Sequence, residues 1–225
     1  MQSLNIGFVQ KNHTLYKWAS SLALVTIFYN IAEGLVSVFF GLTDESFALF
    51  GFGLDSFVEV VSGIGIWHMV RRIRRNGNES PDRFEKTALQ ITGSGFYILT
   101  VGLTVTAAIN LYQGHKPETT FWGIVISLVS ILTMWLLIHY KVKVGRGLNS
   151  PAILADAACT RACLQLSVVL LLASVGYELA GIGEMDSIGT LVISGICFRE
   201  GREAFGKAKA GSFACGCGSC QTEGK

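Results

Sequence analysis

Six apolar stretches, each about as long as a membrane-spanning helix, dominate this chain of 225 residues. A helix of roughly 20 apolar residues crosses the hydrocarbon core of a bilayer. Half of the residues are hydrophobic, only 15% are charged, and the mean hydropathy is +0.47, which departs from soluble averages. The sequence therefore predicts an all-α integral membrane protein, a bundle of six transmembrane helices, with spans at residues 18–41, 47–70, 88–112, 121–140, 153–180 and 188–205.

The connections between these spans alternate in charge. Those rich in Lys and Arg are residues 71–86, residues 141–149 and the end of the last span, with Lys207 and Lys209. Those poor in Lys and Arg are residues 41–46, 113–120 and 181–187. Because Lys and Arg concentrate in cytoplasmic loops, we expect both termini to be cytoplasmic, in a plasma (inner) membrane.

The chain is expected to contain three regions. Residues 1–17 are polar and predict a cytoplasmic N-terminal tail, residues 18–207 form the six-helix transmembrane domain, and residues 208–225 form a flexible, cysteine-rich cytoplasmic tail. No cleavable signal peptide is expected, because the first apolar stretch is long enough to span and lacks a cleavage pattern. The net charge of +2 gives no reason to expect nucleic-acid binding.

Two pairs of metal-binding residue types occur inside the predicted spans, Asp55 with Glu59 and Cys159 with Cys163. The i, i+4 spacing places both members of a pair on one helix face. A carboxylate inside a membrane is costly, and such residues usually face a bundle interior or a transport path. Two carboxylates and two thiols form a complete ligand set for a borderline-soft divalent cation. We therefore predict one central metal site and the movement of a metal ion across the membrane.

Each pair also has a structural interpretation. A single acid would be neutral or paired with a buried Arg, for which Arg161 is the best candidate, and a buried Cys usually behaves as a small hydrophobe. Asp156 lies on the same stripe as Cys159 and Cys163, at i, i+3, i+7, and is a candidate additional ligand or proton site. Cys197 has no ligand partner at helical spacing, so we interpret it as a packing residue.

Three further cysteines lie close together among glycines near the end of the sequence: Cys215, Cys217 and Cys220. Three thiols on a flexible segment suit chelation of a soft metal. The alternative is a cysteine tail that is merely tolerated or redox-labile. A disulfide framework is not expected in the reducing cytosol.

The segments Tyr-Asn-Ile-Ala-Glu-Gly at 29–34, Ser-Phe-Ala-Leu at 46–49 and Gly-Leu-Asp-Ser-Phe-Val-Glu at 53–59 resemble the first two spans of the cation diffusion facilitators. This resemblance implies a six-span homodimer that exports zinc and related divalent metals, mostly in exchange for protons. It places the second-span acid pair of that family on Asp55 and Glu59.

The fifth-span pair of the family, commonly His-x-x-x-Asp, follows an Ala-Asp by three residues and falls here on Cys159 and Cys163. Thiols at both positions make the ligand set softer, so we expect zinc, cadmium, mercury, lead or cuprous ion to be preferred over manganese or magnesium. The family's cytoplasmic metal-binding domain is not expected in the roughly 20 residues after the last span. A homodimer would then form through the membrane helices.

The chemistry of these ligands predicts exchange of metal for protons. Thiols and carboxylates lose protons when they bind a cation, so metal entry expels protons and proton entry expels metal. Proton influx would then release the metal outside, as in an antiporter for Zn²⁺, Cd²⁺ or a similar ion, with no cofactor.

Two other functions remain open from the sequence. The protein could be an uptake permease for soft metals, or a membrane metal sensor or scaffold that transports nothing. An enzyme is not expected, because no nucleophile constellation or nucleotide motif is present. The histidines are scattered near the predicted membrane edges, at His13, His68, His115 and His139.

Overall fold

The computed structural model describes residues 2–76, 83–114, 120–180 and 184–210, and these form six helices. The helices are α1 (Gln2–Thr43), α2 (Phe47–Asn76), α3 (Arg83–Gln113), α4 (Phe121–Leu148), α5 (Pro151–Ala180) and α6 (Glu184–Ala210). No strand occurs in these ranges. The all-α helical bundle predicted from the sequence is confirmed.

Helices α1 to α5 are long and apolar enough to cross a membrane. Their outward surfaces expose large apolar side chains, including Phe28 at 68% and Ile98 at 72%, as expected for contact with lipid. Helix α6 is also long enough at 27 residues, but charged residues interrupt its apolar stretch. Among these, the Glu200 and Lys207 side chains are only 12% and 8% exposed. These two charged side chains therefore turn towards the bundle interior, where ionisable groups in membranes usually lie.

The helices extend further at their basic ends than the sequence predicted. Helix α4 continues to Leu148 instead of ending at Tyr140, so most of the expected connection at 141–149 is helical. Cations are favourable near a helix C-terminus because of the helix dipole. The helix then ends at Asn149, whose φ of 50° lies in the left-handed region, and its N–H bonds to the carbonyl of Arg146. Similarly, α1 begins at Gln2, within the segment assigned to a tail.

Neighbouring helices pack in antiparallel pairs, α1 with α2, α3 with α6 and α4 with α5. Helix α2 is central and contacts α1, α3, α5 and α6. Glycines bring the first pair close together: a Cβ on Gly41 would lie 2.5 Å from the nitrogen of Phe50, and one on Gly53 would lie 2.8 Å from that of Val38. Small residues are the usual means of close helix approach in membranes, and Gly53 provides it beside the acid pair.

Two acids, Asp186 and Glu178, fix the end of the bundle opposite the basic connections. Asp186 of α6 accepts hydrogen bonds from Ser46 Oγ at 2.6 Å and from the backbone nitrogen of Phe47 at 3.0 Å, at the start of α2. Glu178 of α5 accepts one from the backbone nitrogen of Thr120 at 2.9 Å, at the start of α4. Free N–H groups and the dipole make a helix start favourable for a carboxylate, so these contacts set the relative heights of the helices.

Candidate metal-binding site between the helices

One member of each predicted ligand pair meets the other between α2 and α5. The Sγ of Cys163 donates a hydrogen bond to Oε1 of Glu59. The second oxygen, Oε2, accepts a hydrogen bond from Nδ2 of Asn30 on α1 at 3.0 Å. A carboxylate, a thiol and an amide from three different helices therefore converge at one point in the bundle.

The other acid, Asp55, lies one turn nearer the start of α2 and is only 2% exposed. Its partner comes from α6, since Cys197 Sγ donates to Asp55 Oδ1 at 3.6 Å. Cys197 does lie in an apolar cluster, as its packing interpretation requires. Its contact with an acid was missed, because a partner on another helix leaves no signal in the spacing along α6.

The other thiol, that of Cys159, lies one turn from Cys163 on the opposite side from Asp55. Its Sγ is 3.7 Å from Nζ of Lys207 on α6, and the same ammonium group bonds to Glu203 at 2.9 Å. A cavity of about 50 Å³ opens here. Its charged and thiol lining residues are Glu59, Asp156, Cys159, Cys163, Glu200, Glu203 and Lys207.

Asp156 is in a buried ion pair. Nζ of Lys141, which is 1% exposed, lies 2.9 Å from Asp156 Oδ1 and 2.9 Å from Thr160 Oγ1. The structural interpretation of the acid pair offered Arg161 as a buried cation beside Asp55 or Glu59, but Arg161 is not buried. Arg161 is exposed and lies on the outer surface, whereas the shorter Lys141 side chain points inward from α4.

Two residues of the cavity wall, Asn30 and Thr92, each have a buried side-chain oxygen, Oδ1 and Oγ1, without a hydrogen-bond partner among the described residues. Unpaired buried polar atoms are rare and call for an explanation, which an ion or water would supply. Nearby, Glu33 accepts hydrogen bonds from Tyr29 at 2.9 Å and Ser56 at 3.1 Å. The sequence analysis missed this polar face of α1, although the i, i+3 spacing of Asn30 and Glu33 indicates it.

The described residues contain no group of three or more His, Cys, Asp or Glu side chains placed to hold one metal ion. The candidate ligands instead occupy three successive levels: Asp55 with Cys197, Glu59 with Cys163, and Cys159 beside Lys207. Of the four residues predicted to form the central site, Glu59 and Cys163 are in contact, Cys159 lines the same cavity, and Asp55 does not line it. Cys215, Cys217 and Cys220 lie outside the described residues.

Similarity to known proteins identifies the family of this chain. The cation efflux transmembrane domain matches residues 23–209. The manganese efflux system protein MneP of Bacillus subtilis is 25% identical over 199 residues, covering 81% of this chain and 64% of that protein. An uncharacterized transporter of Methanocaldococcus jannaschii is 25% identical over 175 residues, covering 76% of this chain and 62% of that protein. The chain spans less than two thirds of both relatives. Because the family match runs from the first helix to the last, the chain belongs to the cation efflux family.

Proposed function

We propose that this protein exports metal cations from the cytoplasm in exchange for protons. The single observation that carries the proposal is the contact between Glu59 and Cys163, which joins one candidate ligand of α2 to one of α5 beside a cavity. Membership of the cation efflux family supports cation transport, and one relative is named as an efflux protein for a metal.

The three levels of candidate ligands support a path for the ion. Helices α2 and α5 are antiparallel neighbours, so Cys159 lies towards the basic end and Asp55 towards the opposite end. If the basic end is cytoplasmic, the ion meets Cys159 first, then Glu59 and Cys163, and then Asp55. The complete site of Asp55, Glu59, Cys159 and Cys163 would form when the two helices shift relative to each other. Transporters commonly alternate access by such rocking about a site near the midplane.

The hydrogen bond from Cys163 to Glu59 indicates how protons take part. A thiol that donates a hydrogen bond carries its proton, so a cation that binds this sulfur must displace that proton. Protons arriving from the other side would return to the thiol and the carboxylates and release the metal. The exchange needs no cofactor, because the same atoms bind either ion.

Thiol ligands favour zinc, cadmium and other soft ions, which we propose as substrates. Manganese is a second candidate, favoured by a specific observation. Asn30 and Thr92 line the cavity, and each has a side-chain oxygen without a hydrogen-bond partner among the described residues; oxygen ligands suit manganese. The relative named for manganese efflux supports the same candidate.

Metal-driven proton movement in proteoliposomes tests the proposal. Vesicles with a metal indicator and a pH indicator inside would be given Zn²⁺, Cd²⁺ or Mn²⁺ outside. We expect one of these ions to enter with outward proton flow, and Glu59→Gln to abolish both signals. Glu184→Gln is the matched control, since it removes an exposed carboxylate at the far end of α6. Metal binding without flux would favour a sensor or scaffold, and accumulation of metal by expressing cells would favour uptake.

A further inference from the structure

A groove on the outer surface of α4 and α5 has no role in the proposed transport path. Its volume is about 620 Å³, and its polar lining residues are Trp135, His139, Lys143, Arg146 and Arg161. The groove shares no lining residue with the cavity that contains Glu59 and Cys163. It faces outward, since Trp135 is 59% exposed.

The groove is strongly cationic. Lys143, Arg146 and Arg161 are exposed and converge on it from two helices, while no carboxylate lines it. Within the described part of the chain, none of the three has an ion-pair partner. A concentration of positive charge without acidic neighbours attracts an anion, and more so beside an apolar surface that lowers the local dielectric.

The position of the cations shows which kind of anion fits. Arg161 is ten residues after Pro151, so it lies roughly 15 Å along α5 from its start. Lys143 and Arg146 lie near the end of α4, at the same end of the bundle. Trp135 lies deeper on α4, beside Leu132 and Leu136, which are 61% and 42% exposed. Lys143 and Arg146 therefore place positive charge near the end of the bundle. The third cation, Arg161, lies at about the depth of Trp135, because Lys141 of α4 is level with Asp156 of α5.

We propose that this groove binds an acidic phospholipid, with its headgroup phosphate on Lys143, Arg146 and Arg161 and its acyl chains along Trp135. Basic pockets between transmembrane helices on the cytoplasmic side suit anionic headgroups. An inserted lipid also explains how Arg161 is accommodated on a lipid-facing surface, where an unpaired cation is costly.

A second copy of the chain is a poorer occupant of this groove. In a two-fold symmetric interface the same patch meets itself, so three cations of one copy would face three of the other. Like charges brought together across an interface are unfavourable. An acidic lipid instead supplies both the missing negative charge and the apolar chains.

Native mass spectrometry of the purified full-length protein with defined lipids tests this assignment. We expect phosphatidylglycerol to give bound-lipid peaks and phosphatidylcholine to give far fewer. The variant Lys143→Gln/Arg146→Gln/Arg161→Gln should lose at least fivefold of the phosphatidylglycerol signal. The matched control is Arg71→Gln/Arg74→Gln/Arg75→Gln, which removes three exposed cations at the same end of the bundle and should retain the signal.

Three outcomes would overturn the assignment. The first is an equal loss of the phosphatidylglycerol signal in both triple variants, and the second is full retention of that signal in the groove variant. The third is displacement of the lipid by millimolar inorganic phosphate, which would indicate a site for a free anion. If the groove variant does not fold, Arg161→Gln alone provides the same comparison against Arg74→Gln. Retention of lipid by the conservative Lys143→Arg/Arg146→Lys/Arg161→Lys variant would support recognition of charge.

Discussion

Glu59 and Cys163 contact each other across the interface of α2 and α5, although 104 residues separate them in the chain. Each belongs to a same-face pair on its own helix, and the contact aligns the two pairs along antiparallel helices. Asp55 lies to one side of this contact and Cys159 to the other. The alignment gives the proposed transport path its order, and the predictions below depend on it.

Replacing Asp55 by Ala is expected to abolish metal flux in proteoliposomes while the protein stays folded. The carboxylate is buried and its described hydrogen-bond partner is the weak thiol donor Cys197, so the substitution removes a ligand and leaves no buried charge unpaired. Size-exclusion profile and helical circular dichroism should match the wild type. Asp55→Glu is the control that retains the carboxylate. Wild-type flux in the Ala variant would remove Asp55 from the transport path.

Changing Cys159 to His and Cys163 to Asp together should move the metal preference away from cadmium and towards zinc. Thiolates favour the softer ion, whereas imidazole and carboxylate ligands suit zinc well. The measurement is the ratio of cadmium to zinc flux at equal free metal, and we expect a fall of about tenfold or more, equivalent to about 1.4 kcal/mol. An unchanged ratio would show that the two cysteines are not ligands.

Metal affinity should rise with pH. Because Cys163 donates a hydrogen bond to Glu59, binding through its sulfur must release a proton. Each proton released per ion makes the apparent dissociation constant fall about tenfold per pH unit, while the released group is mainly protonated. The purified protein would be titrated with metal between about pH 6 and pH 8, within the range in which proteins are usually stable. Two buffers of different ionisation enthalpy give the number of protons released per ion. Cys163→Ser should bind metal with a smaller slope, and an equal slope would assign the proton elsewhere.

Lys141→Met should destabilise the protein strongly, because it leaves Asp156 buried without its cation. Removing one partner of a buried ion pair typically costs about 3–5 kcal/mol. The double variant Lys141→Met/Asp156→Leu should recover most of that stability, since apolar replacement of both partners is often neutral. Unfolding of the protein in detergent, followed by circular dichroism, gives the comparison. If the stable double variant still transports metal, Asp156 serves the fold and is not an obligatory ligand or proton site.

Local sequence patterns predicted much of the fold. The boundaries predicted from the apolar segments agree with the structure at the starts of α2 and α4, Phe47 and Phe121, and at the end of α5, Ala180. The basic ends were predicted less well. The composition of residues 141–148 predicted a connection, yet these residues continue α4. Their cations stabilise the end of the helix, because positive charge is favourable near a helix C-terminus.

The sequence by itself determined that the chain is a bundle of membrane helices and that two ligand pairs each share a helix face. Both follow from spacing along one helix, which is fixed at 3.6 residues per turn. Only the tertiary structure decided that Glu59 meets Cys163, that Asp55 meets Cys197, and that Lys141 neutralises Asp156. These contacts depend on how helices rotate and slide against each other. A helix that is apolar on all sides carries little periodic signal for that rotation, so close packing at small residues and interhelical hydrogen bonds set it instead.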